Sequence, residues 1–169
     1  MISELKIFPE CYADTLLTET LFPDLKPFVS HKEGSDTARD IEQFPHELVV
    51  GIVDKDKKMP SYFRGFQVVS ENASLCLHWW KHPEREHHII ILEPAIEKWL
   101  YNAVLGSSVR PEEFSLPENL ASSAVIKQFK KKHSRRRSPE FCNFLEAVCK
   151  QDTEPITTIK SWMKTITNT

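Results

Sequence analysis

Asp54 and Asp56 close an apolar run, VVGIVDKDKK (49–58), and stand one residue apart. Alternate side chains of an extended chain share a face, so both carboxylates leave the core toward the same spot. Glu10 stands just past another short apolar segment, ELKIF (4–8). Loops beyond the carboxyl ends of parallel strands gather at one sheet edge, where α/β folds place their sites. In that topology Glu10, Asp54 and Asp56 converge although they are distant in sequence. Their mutual repulsion would raise pKa values and oppose folding unless a divalent cation neutralised them, and an all-oxygen set suits Mg²⁺ or Mn²⁺. A plainer reading stays open from spacing alone: the two aspartates start a polar turn and Lys55, Lys57 and Lys58 neutralise them.

A second charged feature lies far along the chain. KQFKKKHSRRR (127–137) holds seven cations and no acid: Lys127, Lys130, Lys131, Lys132, Arg135, Arg136 and Arg137. Such density is the footprint of polyanion binding, with affinity that falls as salt rises. The same run also suits the solvated carboxyl end of a helix or a contact with an acidic partner. It accounts for an uneven charge distribution. Residues 1–106 carry 11 Lys and Arg against 17 Asp and Glu, a net of −6; residues 107–169 carry 11 against 7, a net of +4. Arg64, in SYFRGF, either binds a phosphate or closes a turn with Gly65.

Other chemistry-bearing residues read as structural. His78 and His82, with His87 and His88 nearby, imitate zinc spacing, but the stretch reads as strand, turn and strand, and an exposed turn cluster is expected. Trp79 and Trp80 point to opposite faces of a strand, placing at least one in the core and leaving the other for packing or base stacking. Cys11, Cys76, Cys142 and Cys149 form no CxxC pair and read as buried thiols.

The elements that must position these residues follow from periodicity. ELKIF is a strand, and Ala13, Leu16, Leu17 and Leu21 then recur at helical spacing. KPFVSH follows as the next extended segment. In GSDTARDIEQF, Ser35 is a candidate cap for a short helix burying Ala38, Ile41 and Phe44. HELVVGIVDKD is the clearest strand; FQVVS, LCLHWW and HHIIIL are also rich in β formers. PAIEKWLYNAVL then reads as a helix with Pro94 in its first turn and Ala95, Ile96, Trp99, Leu100, Ala103 and Val104 on one face. A βαβαβ series implies a largely parallel sheet flanked by helices, an α/β fold. Near GSSVRPEEFSLPEN (106–119) the chain changes character, and three helices are expected at roughly 117–132, 139–150 and 155–166. The division is therefore an α/β domain over 1–106 and a basic helical extension over 107–169 packed on it.

Glu10 after the first strand, followed by the hydrophobic pattern that ends in Asp54-x-Asp56, resembles the Toprim domain, the metal-binding Rossmann-like fold of bacterial primases, topoisomerases and OLD-type nucleases. The likeness covers about residues 4–105. LEPAIEKWLYNAV (92–104) is also similar to the Asn-Pro-x-Phe-Glu-x-Trp-Leu segment of small, phage-defence Toprim proteins of the OLD and RloB kind, matching it at Pro94, Glu97, Trp99 and Leu100. The resemblance implies that Asp54 and Asp56 hold Mg²⁺ or Mn²⁺, that Glu10 shares the ion or acts as general acid/base, and that Glu97 completes a second metal position. Two departures stand out: Cys11 replaces the glycine many Toprim domains have after the glutamate, and Glu93 replaces the asparagine before the proline. Glu93 is either a further ligand or a cap for the helix.

The reaction implied is hydrolysis of a phosphodiester, and the basic run would hold DNA or RNA that bare carboxylates repel. No Walker A motif occurs, and nothing supplies the further domains of a primase or topoisomerase. A nuclease is expected; the alternative is a non-catalytic Toprim-like module binding metal, nucleic acid, a partner protein or a second copy. The 169 residues fit one domain or a core with an appendage. With no apolar block of membrane-spanning length and no signal-peptide pattern at MISELKIFPECYADT, no membrane partner and a cytoplasmic location are expected.

Overall fold

A computed structural model describes residues 4–30, 36–55, 58–119 and 139–168. These residues form a five-stranded sheet in the order β1-β2-β5-β4-β3. β1 (Leu5–Pro9), β2 (Leu48–Asp54) and β5 (His87–Leu92) run parallel; β4 (Leu77–Lys81) pairs antiparallel with β5, and β3 (Gln67–Asn72) antiparallel with β4. The expected α/β class is observed, with a mixed sheet. The antiparallel half arises because β3, β4 and β5 follow one another through short connections, which return the chain beside the strand it has just left.

Strand alternation divides the core into two layers. Val50 and Ile52 face a cluster with Leu16, Leu17, Trp99 and Leu100, whereas Val49 and Val53 face a smaller one with Ala38, Ile41 and Phe63. On the first face lie α1 (Tyr12–Leu21), α3 (Ile96–Val104), α4 (Pro139–Cys149) and α5 (Glu154–Thr167). Phe144, Leu145, Ile159 and Met163 of the last two helices belong to that same cluster, and the Trp79 and Trp162 rings sit 6.1 Å apart. The second face is covered by α2 (Thr37–Glu42) and the 3₁₀ turn Ser61–Gly65. Here glycine is required: a Cβ on Gly51 would lie 2.7 Å from Ile41 Cδ1 and 3.1 Å from Ile89 Cγ2, so its absence lets α2 settle onto β2.

Several local expectations need correction. KPFVSH forms no strand among its described residues; Pro23–Phe28 is a 3₁₀ turn with Pro27 inside it, and Val29 makes a single parallel bridge to Ile7. The cap of α2 is Asp36, whose carboxylate accepts the Arg39 N–H at 3.3 Å, while Ser35 lies outside the described residues. Pro94 precedes α3 rather than joining its first turn: Ala95 is the N-cap, and the Glu93–Pro94 peptide is cis. The histidines are no exposed turn cluster. His78, His87 and His88 are buried, because β4 and β5 lie inside the sheet; only His82 is partly open. Cys149 is buried and the other three free thiols are half-buried. Residues 120–138, with most of the helix expected at 117–132, lie outside the described residues. Among those described, no helix is long and apolar enough to cross a membrane.

Candidate functional site

Parallel register carries Glu10 and Asp54 to the same end of the sheet. Pro9 stands beside Ile52, the Glu10 N–H bonds the Ile52 carbonyl at 2.9 Å, and the Asp54 N–H donates to Glu10 Oε2 at 2.8 Å. Asp54 ends β2 beside Leu92, the last residue of β5. Its Oδ1 accepts the Ile96 N–H at 3.1 Å, so the first turn of α3 is docked on the strand-end aspartate. That turn contains Glu97. Of the three carboxylates expected to converge, Glu10 and Asp54 therefore meet at one edge, and Glu97, implicated by the resemblance, sits on an element docked there. Asp56 and the cations Lys127, Lys130, Lys131, Lys132, Arg135, Arg136 and Arg137 lie outside the described residues. Arg64 is exposed at the end of the 3₁₀ turn whose Phe63 enters the second core cluster.

A fourth acid belongs to this edge and was not singled out from the sequence. Asp14, in the first turn of α1, is fully buried; its Oδ2 accepts the Cys11 N–H at 3.1 Å, and its Oδ1 has no hydrogen-bond partner among the described residues. Glu97 Oε2 is likewise buried without one. Burial first, and then the charges of Glu10 and Glu97, push the Asp14 carboxyl up to about 7, partly opposed by its bonds from Cys11. The signal was present but ambiguous. An acid three residues after a helix N-cap ordinarily closes a capping box, which Asp14 also does. Only its neighbours Ala13, Leu16 and Leu17 mark it as facing inward.

Cys11, where a glycine was expected, adopts φ −136° and ψ 176°, an extended conformation open to any residue. The backbone thus gives no conformational reason for glycine here. Its thiol is held strongly protonated by burial, with the Asp14 and Asp54 charges adding to the effect.

Glu93 neither caps α3 nor faces the other acids as a ligand. It pairs with Lys55 at 3.4 Å and hydrogen-bonds the Nε2 of the buried His78, whose Nδ1 lies 3.5 Å from Glu71. The His78 hydrogen bond, and then Lys55, hold the Glu93 carboxyl below its usual range. Lys55 is therefore engaged with Glu93.

Among the described residues, no group of three or more His, Cys, Asp or Glu is placed so that it could hold a metal ion. The oxygens at this edge are nevertheless of the hard type that Mg²⁺ or Mn²⁺ takes: Asp14 Oδ1 and Glu97 Oε2 are buried with no hydrogen-bond partner among the described residues, beside a strand end where Glu10 and Asp54 accept backbone N–H groups. Comparison with protein-family models, with curated proteins and with solved structures finds no match to this chain.

Proposed function

We propose that this chain is a Toprim-like nuclease, dependent on Mg²⁺ or Mn²⁺, that hydrolyses a phosphodiester of DNA or RNA. The observation that carries the reading is the meeting of Glu10, Asp14, Asp54 and Glu97 at the carboxyl edge of parallel strands, with oxygens of Asp14 and Glu97 buried and without a hydrogen-bond partner among the described residues. Four acids are not held together for stability. Each buried oxygen without a partner costs on the order of 1–3 kcal/mol, more if charged, and a bound cation relieves that cost.

Asp54, Asp56 and Glu97 would hold the cation, and Asp14 fits the same donor set. When bound, the ion neutralises the acids and the negative charge that grows on the phosphate oxygens. Glu10 is held at 2.8 Å by the Asp54 N–H, which orients its carboxylate at the mouth to take a proton from an attacking water. Asp14, pushed up to about 7, holds a proton near neutral pH and yields it when positive charge arrives. The basic run 127–137 supplies the attraction for the polyanion that the acidic mouth repels.

The test is incubation of the full chain with single- and double-stranded DNA and RNA in Mn²⁺, repeated with Glu10→Gln. Cleavage should fall by about 10²-fold or more in the variant, as expected for loss of a general base, while nucleic-acid binding persists. Cleavage undiminished in Glu10→Gln would remove Glu10 from the chemistry. Binding without cleavage by the wild type would replace the nuclease with a non-catalytic Toprim-like module.

A further inference from the structure

Three parallel strands end side by side, and a charged residue follows each: Glu10 follows β1, Lys55 follows β2 and Glu93 follows β5. Because β2 lies between the other two, Lys55 stands between two acids. Neighbouring strands are about 4.8 Å apart, a span that a lysine stem crosses in either direction. One direction leads to Glu10 and the carboxylate mouth, the other to Glu93. The backbone is tied to both sides: the Asp54 N–H donates to Glu10 Oε2 at 2.8 Å, and the Lys55 N–H donates to the Leu92 carbonyl at 3.1 Å.

The Lys55 side chain takes the second direction, its Nζ 3.4 Å from Glu93 Oε2. Glu93 is itself held by other groups. Its N–H donates to the Cys76 carbonyl at 3.0 Å, and its Oε2 accepts from Nε2 of His78, which is 4% exposed. The Glu93 carboxyl is held below its usual range and so is ionised, which makes the ring nitrogen the donor. His78 stands opposite Glu71 on β3 and Ile91 on β5, so its ring is fixed from both sides. A buried donor to a charged acceptor anchors Glu93 where the half-exposed lysine finds it.

We infer that Glu93, anchored by His78, is a positioning residue that holds Lys55 away from Glu10 and the strand-end aspartates, so that the chain's own cation does not take the place of the metal. The inference rests on the cation-site reading of the mouth and gives a role to a pair of residues which that reading leaves out. A lysine between Asp54 and Asp56 is a counterion built into the sequence. Drawn onto the acids, it would neutralise the mouth and compete with Mg²⁺ or Mn²⁺ for the same oxygens. The Lys55 and Glu93 side chains are 34% and 40% exposed, and so open a pair contributes little to stability. Both residues can therefore be exchanged without unfolding the chain.

The experiment is a double-variant cycle on the full chain, read as Mn²⁺ affinity from the loss of the free-ion electron paramagnetic resonance signal, with metal-free melting curves to confirm that each variant is folded. Glu93→Gln releases Lys55 and should weaken Mn²⁺ binding about tenfold. Lys55→Met alone should change the affinity less than about twofold, because its ammonium is already held off. In the Glu93→Gln background, Lys55→Met should restore the wild-type affinity. Simple loss and gain of charge gives a different pattern, in which Lys55→Met tightens binding by the same factor in both backgrounds. Equal factors, or a Glu93→Gln variant that binds Mn²⁺ as the wild type does, would overturn the inference and leave the cation site standing. A wild type that takes up no Mn²⁺ would remove the cation site itself, and the inference with it.

Discussion

At the end of the sheet where β5 begins, His87 is wholly buried and both of its ring nitrogens are used. Nε2 donates to the Phe44 carbonyl at 2.8 Å, and Nδ1 accepts from the Tyr62 hydroxyl at 2.7 Å, which itself accepts from Arg85 at 3.3 Å. Beside it, His88 Nδ1 accepts the Trp79 indole N–H at 3.1 Å. At the end where the parallel strands finish, Asp14 is equally buried, yet Asp14 Oδ1 and Glu97 Oε2 have no hydrogen-bond partner among the described residues. Burial alone therefore does not mark a site. The ring nitrogens of His87 have partners, although the nearby Trp80 Nε1 has none among the described residues, whereas the carboxylate end keeps two acid oxygens without one.

The two ends should respond oppositely to deletion. His87→Ala leaves Phe44 O without its donor and Tyr62 without its acceptor in a buried place, and should cost about 3 kcal/mol by denaturant unfolding. Asp14→Asn should do the reverse in metal-free buffer at pH 8. The gap between the ordinary value of 3.8 and about 7 sets an upper bound of about 4 kcal/mol, so a gain of about 2 kcal/mol is expected once the site relaxes. A loss of stability in Asp14→Asn at pH 8 would show that the carboxylate end is already satisfied.

pH sharpens the contrast, since the two ends carry shifts of opposite consequence. Asp14 has a raised carboxyl pKa, so its contribution is fully present below about 4 and is lost as pH rises through about 7. Burial first, and then the Lys81 charge, lower His88 from 6.5 to about 4. Its unfolded form binds the proton better, and stability is lost as pH falls from about 6.5 through about 4. The stabilisation that Asp14→Asn brings should therefore be largest above pH 7 and vanish near pH 4, whereas His88→Gln should matter most near pH 4. Parallel melting curves across that range check both slopes.

The sequence made one of these ends far easier to read than the other. Glu10 and Asp54 were legible because each follows an apolar run of strand length, and parallel register then leaves little freedom in where they meet. Periodicity gave the helix that carries Glu97, but Glu97 itself was singled out only by the resemblance of its segment to Toprim proteins. Asp14 was not legible, because its bond to the Cys11 N–H gives it an ordinary local duty that hides the tertiary one. The histidine network was misread for a related reason: polar residues near a turn look solvated, and only the position of β5 between β2 and β4 puts His87 and His88 inside. Sheet order is long-range information, carried by neither residue type nor local spacing.

Metal linkage, at pH 8, bears on the central claim most directly. A cation that binds only the folded chain stabilises it by mass action, about 2.7 kcal/mol at a concentration of 100 times its Kd. The melting temperature of the wild type should therefore rise in millimolar Mn²⁺ or Mg²⁺, and the double variant Asp54→Asn with Asp56→Asn should show no rise while melting higher than wild type without metal. No metal-dependent rise in the wild type, or an equal rise in the double variant, would contradict a cation site built on the strand-end carboxylates.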